Sequence, residues 1–158
     1  MKALLLFAVA TVAGCATDST PQPEAPEGWD VVALDSVDSG LAIVPHQSFD
    51  GTAEVFACPA GFLCVYQNGG RNGAAFGIYA GDTFSNLKGM SCPQCTNGEY
   101  GNDGTFNDQM SSWQNNSGER YCWYWDKSYG GEKHVMNDGY IVTLLAREND
   151  RPSSLKPC

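Results

Sequence analysis

From residue 55 onward, apolar and aromatic residues fall in short runs that are separated by Gly, Asn and Asp. The spacing within these runs does not follow the three-to-four-residue repeat of an amphipathic helix. The runs are instead rich in β-branched and aromatic residues, and turn residues bound them on both sides. This pattern predicts an all-β fold, a sandwich or a barrel. The main runs are residues 62–66, 74–79, 121–125, 133–136 and 140–146.

A six-residue pattern occurs twice, as Asn107-Asp108-Gln109-Met110-Ser111-Ser112 and as Asn149-Asp150-Arg151-Pro152-Ser153-Ser154. A shorter phrase precedes each copy, Cys64-Val65-Tyr66 before the first and Cys122-Trp123-Tyr124 before the second. The repeated order predicts two copies of one module, at about residues 58–115 and 118–158. The short phrases are 58 residues apart, whereas the six-residue patterns are 42 apart, so the first repeat is 16 residues longer.

The extra residues of the first repeat include Cys92 and Cys95. A long connection without secondary structure of its own is uncommon in a compact domain. We therefore expect these cysteines to staple a loop between Leu87 and Gly104. The alternative is a zinc site, since Cys-x2-Cys is half of a zinc knuckle, but the chain has no matching second half.

Six cysteines follow residue 55, and in an oxidising compartment they would form three disulfides. Sequence alone leaves their connectivity open. Pairing between neighbours along the chain predicts one bond that fixes the C-terminus, which would otherwise fray. The predicted bonds are Cys58–Cys64, Cys92–Cys95 and Cys122–Cys158.

The chain begins with Met1-Lys2 and an apolar run at residues 3–13. This run is too short to cross a bilayer as a helix and is typical of a secretory signal peptide. Val12-Ala13-Gly14-Cys15 resembles a bacterial lipobox, which predicts a signal peptide at residues 1–14 and a lipid on Cys15. We therefore expect an exported lipoprotein of the bacterial cell envelope that contacts the membrane only through this lipid. Ordinary cleavage nearby, giving a secreted protein, is the alternative.

The net charge of −9 is unevenly distributed. Residues 16–54 hold eight acidic residues and no Lys or Arg, whereas residues 55–158 hold ten acidic and eight basic residues. An acidic segment that contains proline stays extended and repels anionic surfaces. We predict a solvated tether at residues 15–54, one domain at residues 55–158, and no nucleic-acid partner.

Apolar residues return within this tether at a spacing that fits neither a clean helix nor a clean strand. They either add a strand to the domain or bind a partner, and the sequence leaves both interpretations open. These residues are Trp29, Val31, Val32, Leu34, Val37, Leu41, Ile43 and Val44.

The second repeat carries Tyr124-x4-Tyr129-x-Gly131 ahead of its six-residue pattern, which resembles the Greek-key signature of βγ-crystallins. The first repeat has Tyr66-x4-Arg71-x-Gly73, so Arg71 replaces the second aromatic residue. Residues 58–66 and 106–112 also resemble the family I36 peptidase inhibitors. The resemblance covers roughly residues 56–158. It implies two Greek-key motifs that form a disulfide-braced, βγ-crystallin-like sandwich.

The resemblance to βγ-crystallins implies calcium as a cofactor, because the two loops supply hard oxygen ligands. Main-chain carbonyls would combine with the hydroxyls of Ser111 and Ser153, with an affinity on the order of 0.1–1 mM. The alternative is a pair of Asx turns that are satisfied without metal. The cation of Arg151 also counts against a site in its loop. The implied set is Asn107, Asp108, Gln109, Ser111, Ser112, Asn149, Asp150, Arg151, Ser153 and Ser154.

The resemblance to family I36 implies an inhibitor whose partner is a protease, with a metalloproteinase as one candidate target. A rigid, disulfide-braced loop can occupy a protease cleft at low entropic cost. An inhibitor of this family is thought to use a Cys-hydrophobic bond, and the matching pairs are Cys64-Val65 and Cys122-Trp123. The alternative is that Val65 and Trp123 are strand or core residues, which we expect for Val65.

No pattern in the chain supports an enzyme. His46 and His134 are its two histidines and do not lie at ligand spacing, and neither Gly-x-Ser-x-Gly nor His-Glu-x-x-His occurs. We therefore expect no catalytic residues, and we expect a monomer. The alternative to an inhibitor is a calcium-binding structural module of the cell envelope without inhibitory activity.

Overall fold

The computed structural model describes residues 24–33, 41–45, 56–95 and 103–158. The predicted signal peptide, Cys15, the first part of the tether and His46 lie outside these ranges. No helix within the described ranges has the length and apolarity to span a bilayer. Nine strands are described, together with two 3₁₀ helices at Leu87–Gly89 and Lys127–Tyr129. The strands are β1 Trp29–Ala33, β2 Leu41–Pro45, β3 Phe62–Asn68, β4 Asn72–Tyr79, β5 Ser112–Asn115, β6 Tyr121–Asp126, β7 Gly130–Met136, β8 Ile141–Thr143 and β9 Ser154–Pro157.

The strands form two antiparallel sheets, which confirms the predicted all-β fold. The large sheet has the order β1-β2-β4-β3-β5-β8, and the small sheet has the order β7-β6-β9. Each repeat contributes to the other's sheet: β8 of the second repeat pairs with β5, and Phe84 of the first repeat bridges to Leu155 in β9. The two repeats are therefore interlocked Greek keys rather than separate units.

The two repeats use the same strand register. Tyr66 lies opposite Ser112 in the large sheet, and Tyr124 lies opposite Ser154 in the small one. Within the hairpins, Asn68 and Asp126 take equivalent positions beside a register shift. The backbone thus reproduces the alignment that the sequence repeat predicts.

Side chains from both sheets share one core. Strand alternation turns every second residue of β3 and β6 inward, so Val65 and Trp123 are buried together with Phe84, Met110 and Met136. The large aromatic and sulfur-containing residues fill the space between the sheets. Packing of two half-apolar sheets against each other accounts for the short strands and the absence of helical periodicity.

The cysteines form the three disulfides that neighbour pairing predicts. Cys58–Cys64 joins β3 to the segment before it, and Cys122–Cys158 joins β6 to the C-terminus. Cys92–Cys95 lies in the insertion of the first repeat, where Ser91 also bridges to Thr105. The alternative of a zinc site is not formed, because the thiols of that Cys-x2-Cys motif are joined to each other.

Part of the predicted tether belongs to the domain. Strands β1 and β2 form a hairpin, and β2 pairs with β4 at the edge of the large sheet. Of the two interpretations of this stretch, strand addition is the one that the structure forms at residues 29–33 and 41–45, while Leu34 and Val37 lie outside the described residues. The predicted domain boundary at residue 55 is therefore too late.

The hairpin covers the outer face of the first repeat and creates a second apolar cluster around the Cys58–Cys64 disulfide. Ile43 of β2 lies against Gly77 of β4 so closely that a Cβ on Gly77 would stand 2.5 Å from the Ile43 side chain. Such an approach is below any normal contact distance, so the hairpin requires glycine at this position.

Candidate functional site

The two six-residue patterns form neighbouring loops, which we call the first loop, residues 107–112, and the second loop, residues 149–154. The N–H of Asp108 donates to the Pro152 carbonyl at 3.1 Å, and the N–H of Asp150 donates to the Met110 carbonyl at 3.2 Å. Both aspartates adopt the left-handed region, with φ of 54° and 56°. Asp tolerates this conformation better than most residues, which explains its place in both loops.

Each aspartate reaches across to the serine of the opposite loop. Ser153 Oγ donates to Asp108 Oδ1 at 3.0 Å, and Ser111 Oγ donates to Asp150 Oδ1 at 3.2 Å. The structure thus brings the predicted oxygen ligands together as two mixed pairs, each built from both repeats. Neither loop by itself contains a complete pair.

The asparagine that opens each loop orients the adjacent carboxylate. Asn107 Nδ2 donates to Asp108 Oδ2 at 2.6 Å, and Asn149 Nδ2 donates to Asp150 Oδ2 at 2.8 Å. Each carboxylate therefore accepts one hydrogen bond from its own loop and one from the other. All four bonds join side chains, so none of them is the bond from a side chain to the main chain that defines an Asx turn.

The second serine of each loop has a different role from the one predicted for it. Ser112 Oγ donates to the Asn68 carbonyl at 2.6 Å and accepts from the Arg71 N–H at 3.0 Å. Ser154 Oγ likewise donates to the Asp126 carbonyl and accepts from the Tyr129 N–H. Arg71 and Tyr129 have positive φ, so each serine holds a left-handed hairpin residue of its own repeat. Ser112 and Ser154 are committed to the hairpins rather than to the mixed pairs.

The remaining loop residues are not part of the mixed pairs. Gln109 is buried, and the Arg151 guanidinium lies over the Trp125 ring, 5.2 Å from its centroid. The cation of Arg151 is thereby held on the ring by a cation–π contact. This contact accounts for an arginine in a loop that was expected to receive a cation.

The Asp108–Ser153 pair lies beside an open depression in the surface. The depression has a volume of about 460 Å³ and is lined by Asn86, Lys88, Asn107, Asp126, Lys127 and Ser153. Burial raises the pKa of the Asp108 carboxyl above its ordinary value of 3.8, although hydrogen bonding from Ser153 and the charge of Lys88 oppose this. Burial thus raises the pKa of Asp108 by more than these two contacts lower it.

The donor chemistry fits a weak calcium site. Each mixed pair offers one carboxylate and one hydroxyl oxygen, and calcium accepts such hard oxygens together with carbonyls and water. A half-buried carboxylate whose burial raises its pKa is one that a cation would stabilise. No group of three or more Asp, Glu, His or Cys side chains suited to a metal occurs among the described residues.

Cys64-Val65 and Cys122-Trp123 do not form an exposed inhibitory loop. The alternative holds instead, because Val65, as we expected, and Trp123 are strand residues that belong to the core. All four residues lie inside strands β3 and β6, and each is at most 1% exposed. The cysteines are held in disulfides, while Val65 and Trp123 face the shared core. A protease cannot reach these bonds in the folded protein.

The aromatic corner differs between the repeats, as the sequence predicts. Tyr124 and Tyr129 meet edge to face at 5.7 Å, and the Lys156 ammonium lies 4.4 Å from the Tyr129 ring centroid. In the first repeat, Arg71 instead donates from Nη1 to Gln114 Oε1 at 2.8 Å. A hydrogen bond thus replaces the aromatic contact at the equivalent position.

His134 is structural in this fold. Its ring stacks on Trp123 with 4.0 Å between centroids, and it lies between the carboxylates of Glu132 and Glu148. Sequence reasoning described this residue only as part of a strand. The spacing of Glu132 and His134, two residues apart on β7, was the available signal for a shared face.

Comparison with known proteins gives a family and a fold. The model for peptidase inhibitor family I36 matches residues 51–136. No curated protein matches the chain significantly. The chain is similar to a solved structure described as bearing on the evolution of the eye lens βγ-crystallin domain fold, with a TM-score of 0.50 and 19% identity over 66% of this chain and 93% of that one.

Two further solved structures resemble the chain. A βγ-crystallin domain from Flavobacterium johnsoniae has a TM-score of 0.45 and 25% identity, covering 61% of this chain and 92% of its own. The N-terminal domain of Protein S has a TM-score of 0.45 and 14% identity, covering 61% and 94%. The fold is that of a βγ-crystallin domain. Because the family model spans more than half of the sequence, the chain belongs to peptidase inhibitor family I36.

Proposed function

We propose that the protein is an exported inhibitor of a peptidase. The observation that carries this proposal is the family match over residues 51–136, which contain every disulfide cysteine except Cys158. Family membership also agrees with the expectation that the protein is not an enzyme. An inhibitor has to occupy an active-site cleft without losing much conformational entropy, and a small disulfide-braced sandwich meets this requirement.

The three disulfides support export, because such bonds persist in oxidising compartments. The proposed attachment to a bacterial envelope depends on Cys15, which lies outside the described residues. Mass spectrometry of the mature protein tests it. A lipid-modified N-terminal Cys15, absent from a Cys15→Ser variant, is the expected result, and an unmodified N-terminus elsewhere would leave the secreted alternative.

The full chain, purified with its disulfides intact, should be assayed against metallopeptidases of the thermolysin type, serine peptidases and cysteine peptidases. Slow, tight inhibition of one class at submicromolar protein is expected. A reduced and alkylated sample is the matched control and should lose the activity, since rigidity is required. Absence of inhibition in every class at micromolar protein would refute the proposed function.

A second candidate function is a calcium-binding structural module, and the mixed Asp–Ser pairs favour it. Calcium that binds only the native state adds about 1.4 kcal/mol of stability per site at ten times its dissociation constant. Thermal unfolding with calcium, compared with magnesium and with a Ser111→Ala/Ser153→Ala variant, measures this effect. An unchanged melting temperature across millimolar calcium would remove the metal proposal and leave the metal-free loops.

A further inference from the structure

Three of the most exposed apolar side chains in the described part of the chain lie within six residues. Tyr140 is 59% exposed, Ile141 is 54% exposed and Leu145 is 65% exposed. The other exposed large apolar residues, Val31 and Val135, lie in the strands β1 and β7. Single exposed apolar residues are normal, whereas a group of this kind marks an interaction surface.

This segment contains β8, which among the described residues pairs with β5 alone and forms an edge of the large sheet. The Tyr140 carbonyl accepts from Asn115, and the Leu144 N–H donates to Ser111, so these two residues turn their main chain toward β5. In an antiparallel pair the intervening residues alternate in direction. The main-chain groups of Ile141 therefore face away from the sheet, where an incoming chain can pair with them.

The segment is held in one conformation from both ends. Val142 and Leu144 pack against the core, and Thr143 Oγ1 accepts from the Gly70 N–H at 3.1 Å. Alternation along the strand then presents Ile141 outward. The exposed Ile141 side chain therefore stands on a backbone that is already ordered. Binding through it would cost little conformational entropy.

The turn after β8 fixes Leu145 as well. Its N–H donates to Glu148 Oε2 at 3.3 Å, and its carbonyl accepts from the N–H groups of Glu148 and Asn149 at 2.8 and 2.9 Å. Glu148 is itself held by His134, while Arg147 pairs with Glu132 at 2.8 Å. The base of the turn is thus tied to β7 by charged contacts.

We infer that residues 140–145 form the surface that enters the cleft of the target peptidase. This inference rests on the proposed function. Addition of an extended strand to an edge supplies main-chain hydrogen bonds, and pockets for outward side chains supply specificity. Ile141 lies in β8 and Leu145 begins the turn that follows, so the segment presents one apolar side chain from the strand and one from the turn. The partner is therefore a peptidase whose cleft binds extended chains and has apolar pockets for both side chains.

The same geometry explains how the segment avoids cleavage. A peptidase must polarise the carbonyl of the bond that it cuts. The Leu145 carbonyl already accepts two hydrogen bonds within the turn, so the bond to Ala146 is not available to catalytic donors. The intact mass of the inhibitor should accordingly remain unchanged after prolonged incubation with its target.

The test compares Leu145→Asp and Ile141→Asp with Val135→Asp, an exposed apolar residue on the small sheet, as the matched control. Because all three side chains are exposed, each variant should keep the wild-type melting temperature. We expect the inhibition constant to rise about 30-fold for Leu145→Asp, the effect of losing one anchor residue, and to stay unchanged for Val135→Asp. Hydrogen exchange of the complex should show protection of the Ile141 amide.

The failures are distinguishable. If the wild type inhibits a peptidase and both variants at residues 141 and 145 inhibit equally well, the proposed function stands and this surface is refuted. If the wild type inhibits nothing, both proposals fall. If Leu145→Asp instead converts a dimer to a monomer in sedimentation, the occupant is a second copy of the chain, and the inference is overturned.

Discussion

The outer faces of the two repeats differ although their backbones correspond strand by strand. In the first repeat the N-terminal hairpin covers this face, and Ile43 fills the space above Gly77. The equivalent position of the second repeat is Val135, which is 44% exposed and pairs with Cys122. Its strand, β7, forms an edge of the small sheet in the part of the chain that the structure describes. The glycine at position 77 leaves room for the N-terminal hairpin on the first repeat, whereas the equivalent Val135 carries a side chain into that space on the second repeat.

Removal of the Cys122–Cys158 disulfide of the second repeat should give the largest loss of stability from any single bond. Cys122–Cys158 closes 36 residues, whereas Cys58–Cys64 and Cys92–Cys95 close 6 and 3. Loop-closure entropy assigns about 4 kcal/mol to the long bond, about 2 to the first and about 1.5 to the shortest. Urea unfolding of the three paired Cys→Ala variants measures these losses. Equal losses would show that chain entropy does not control the comparison.

Substitution of Gly77 should give the next largest loss of stability. Gly77→Val copies the second repeat and should cost about 2–3 kcal/mol, because the new side chain overlaps Ile43. The reciprocal Val135→Gly should cost less than about 1 kcal/mol, since it removes only a half-exposed strand residue. Chemical unfolding gives both values. Ile43→Ala added to Gly77→Val should restore part of the loss, and a purely additive double variant would contradict the steric explanation.

Ser112 and Ser154, which hold the equivalent hairpins, should contribute similarly to stability in the two repeats. Ser112→Ala and Ser154→Ala each remove a buried hydroxyl that bonds one carbonyl and one N–H of a hairpin. We expect each to cost about 1–3 kcal/mol, because the hairpin groups lose their partner. Equal values from thermal unfolding would confirm equivalent roles. A loss confined to one repeat would mean that the other hairpin is held by its remaining contacts.

The smallest effect concerns pH. Burial raises the pKa of Asp108 above 3.8, so the folded state binds the proton more tightly than the unfolded chain does. The contribution of this group is fully present below pH 3.8 and is lost as pH rises through the higher folded value. Asp108→Asn should remove this part of the pH dependence of the unfolding free energy. Asp150→Asn is the matched substitution in the second loop and should leave this part in place. An unchanged pH profile for Asp108→Asn would refute the assignment.

Local features of the sequence were predictable, and contacts between repeats were not. The duplication, the three disulfides and the all-β pattern follow from spacing along the chain. The crossing of Asp108 to Ser153 depends on how the repeats interlock, which no single repeat encodes. Leu144 and Leu145 are adjacent and identical in type, yet Leu144 is buried and Leu145 is exposed. The difference arises because successive side chains of an extended segment point to opposite sides.

The burial of Trp123 shows a second limit. The resemblance to family I36 matched Trp123 by its residue type and its neighbouring cysteine. Whether Trp123 is exposed depends instead on how strand β6 packs, and there it faces the core. The hairpin at residues 29–45 was ambiguous for a related reason. Its β2 strand packs on one edge and one face at once, so its apolar residues do not alternate cleanly.

The exchange of strands between the repeats has a consequence for the order of events during export. A chain that crosses a membrane from its N-terminus delivers the whole first repeat before β8 and β9 arrive. Until then the large sheet lacks an edge and the small sheet lacks a strand, so the early part cannot reach its final packing. The two repeats therefore reach their final packing together, once the C-terminal strands β8 and β9 have joined the two sheets.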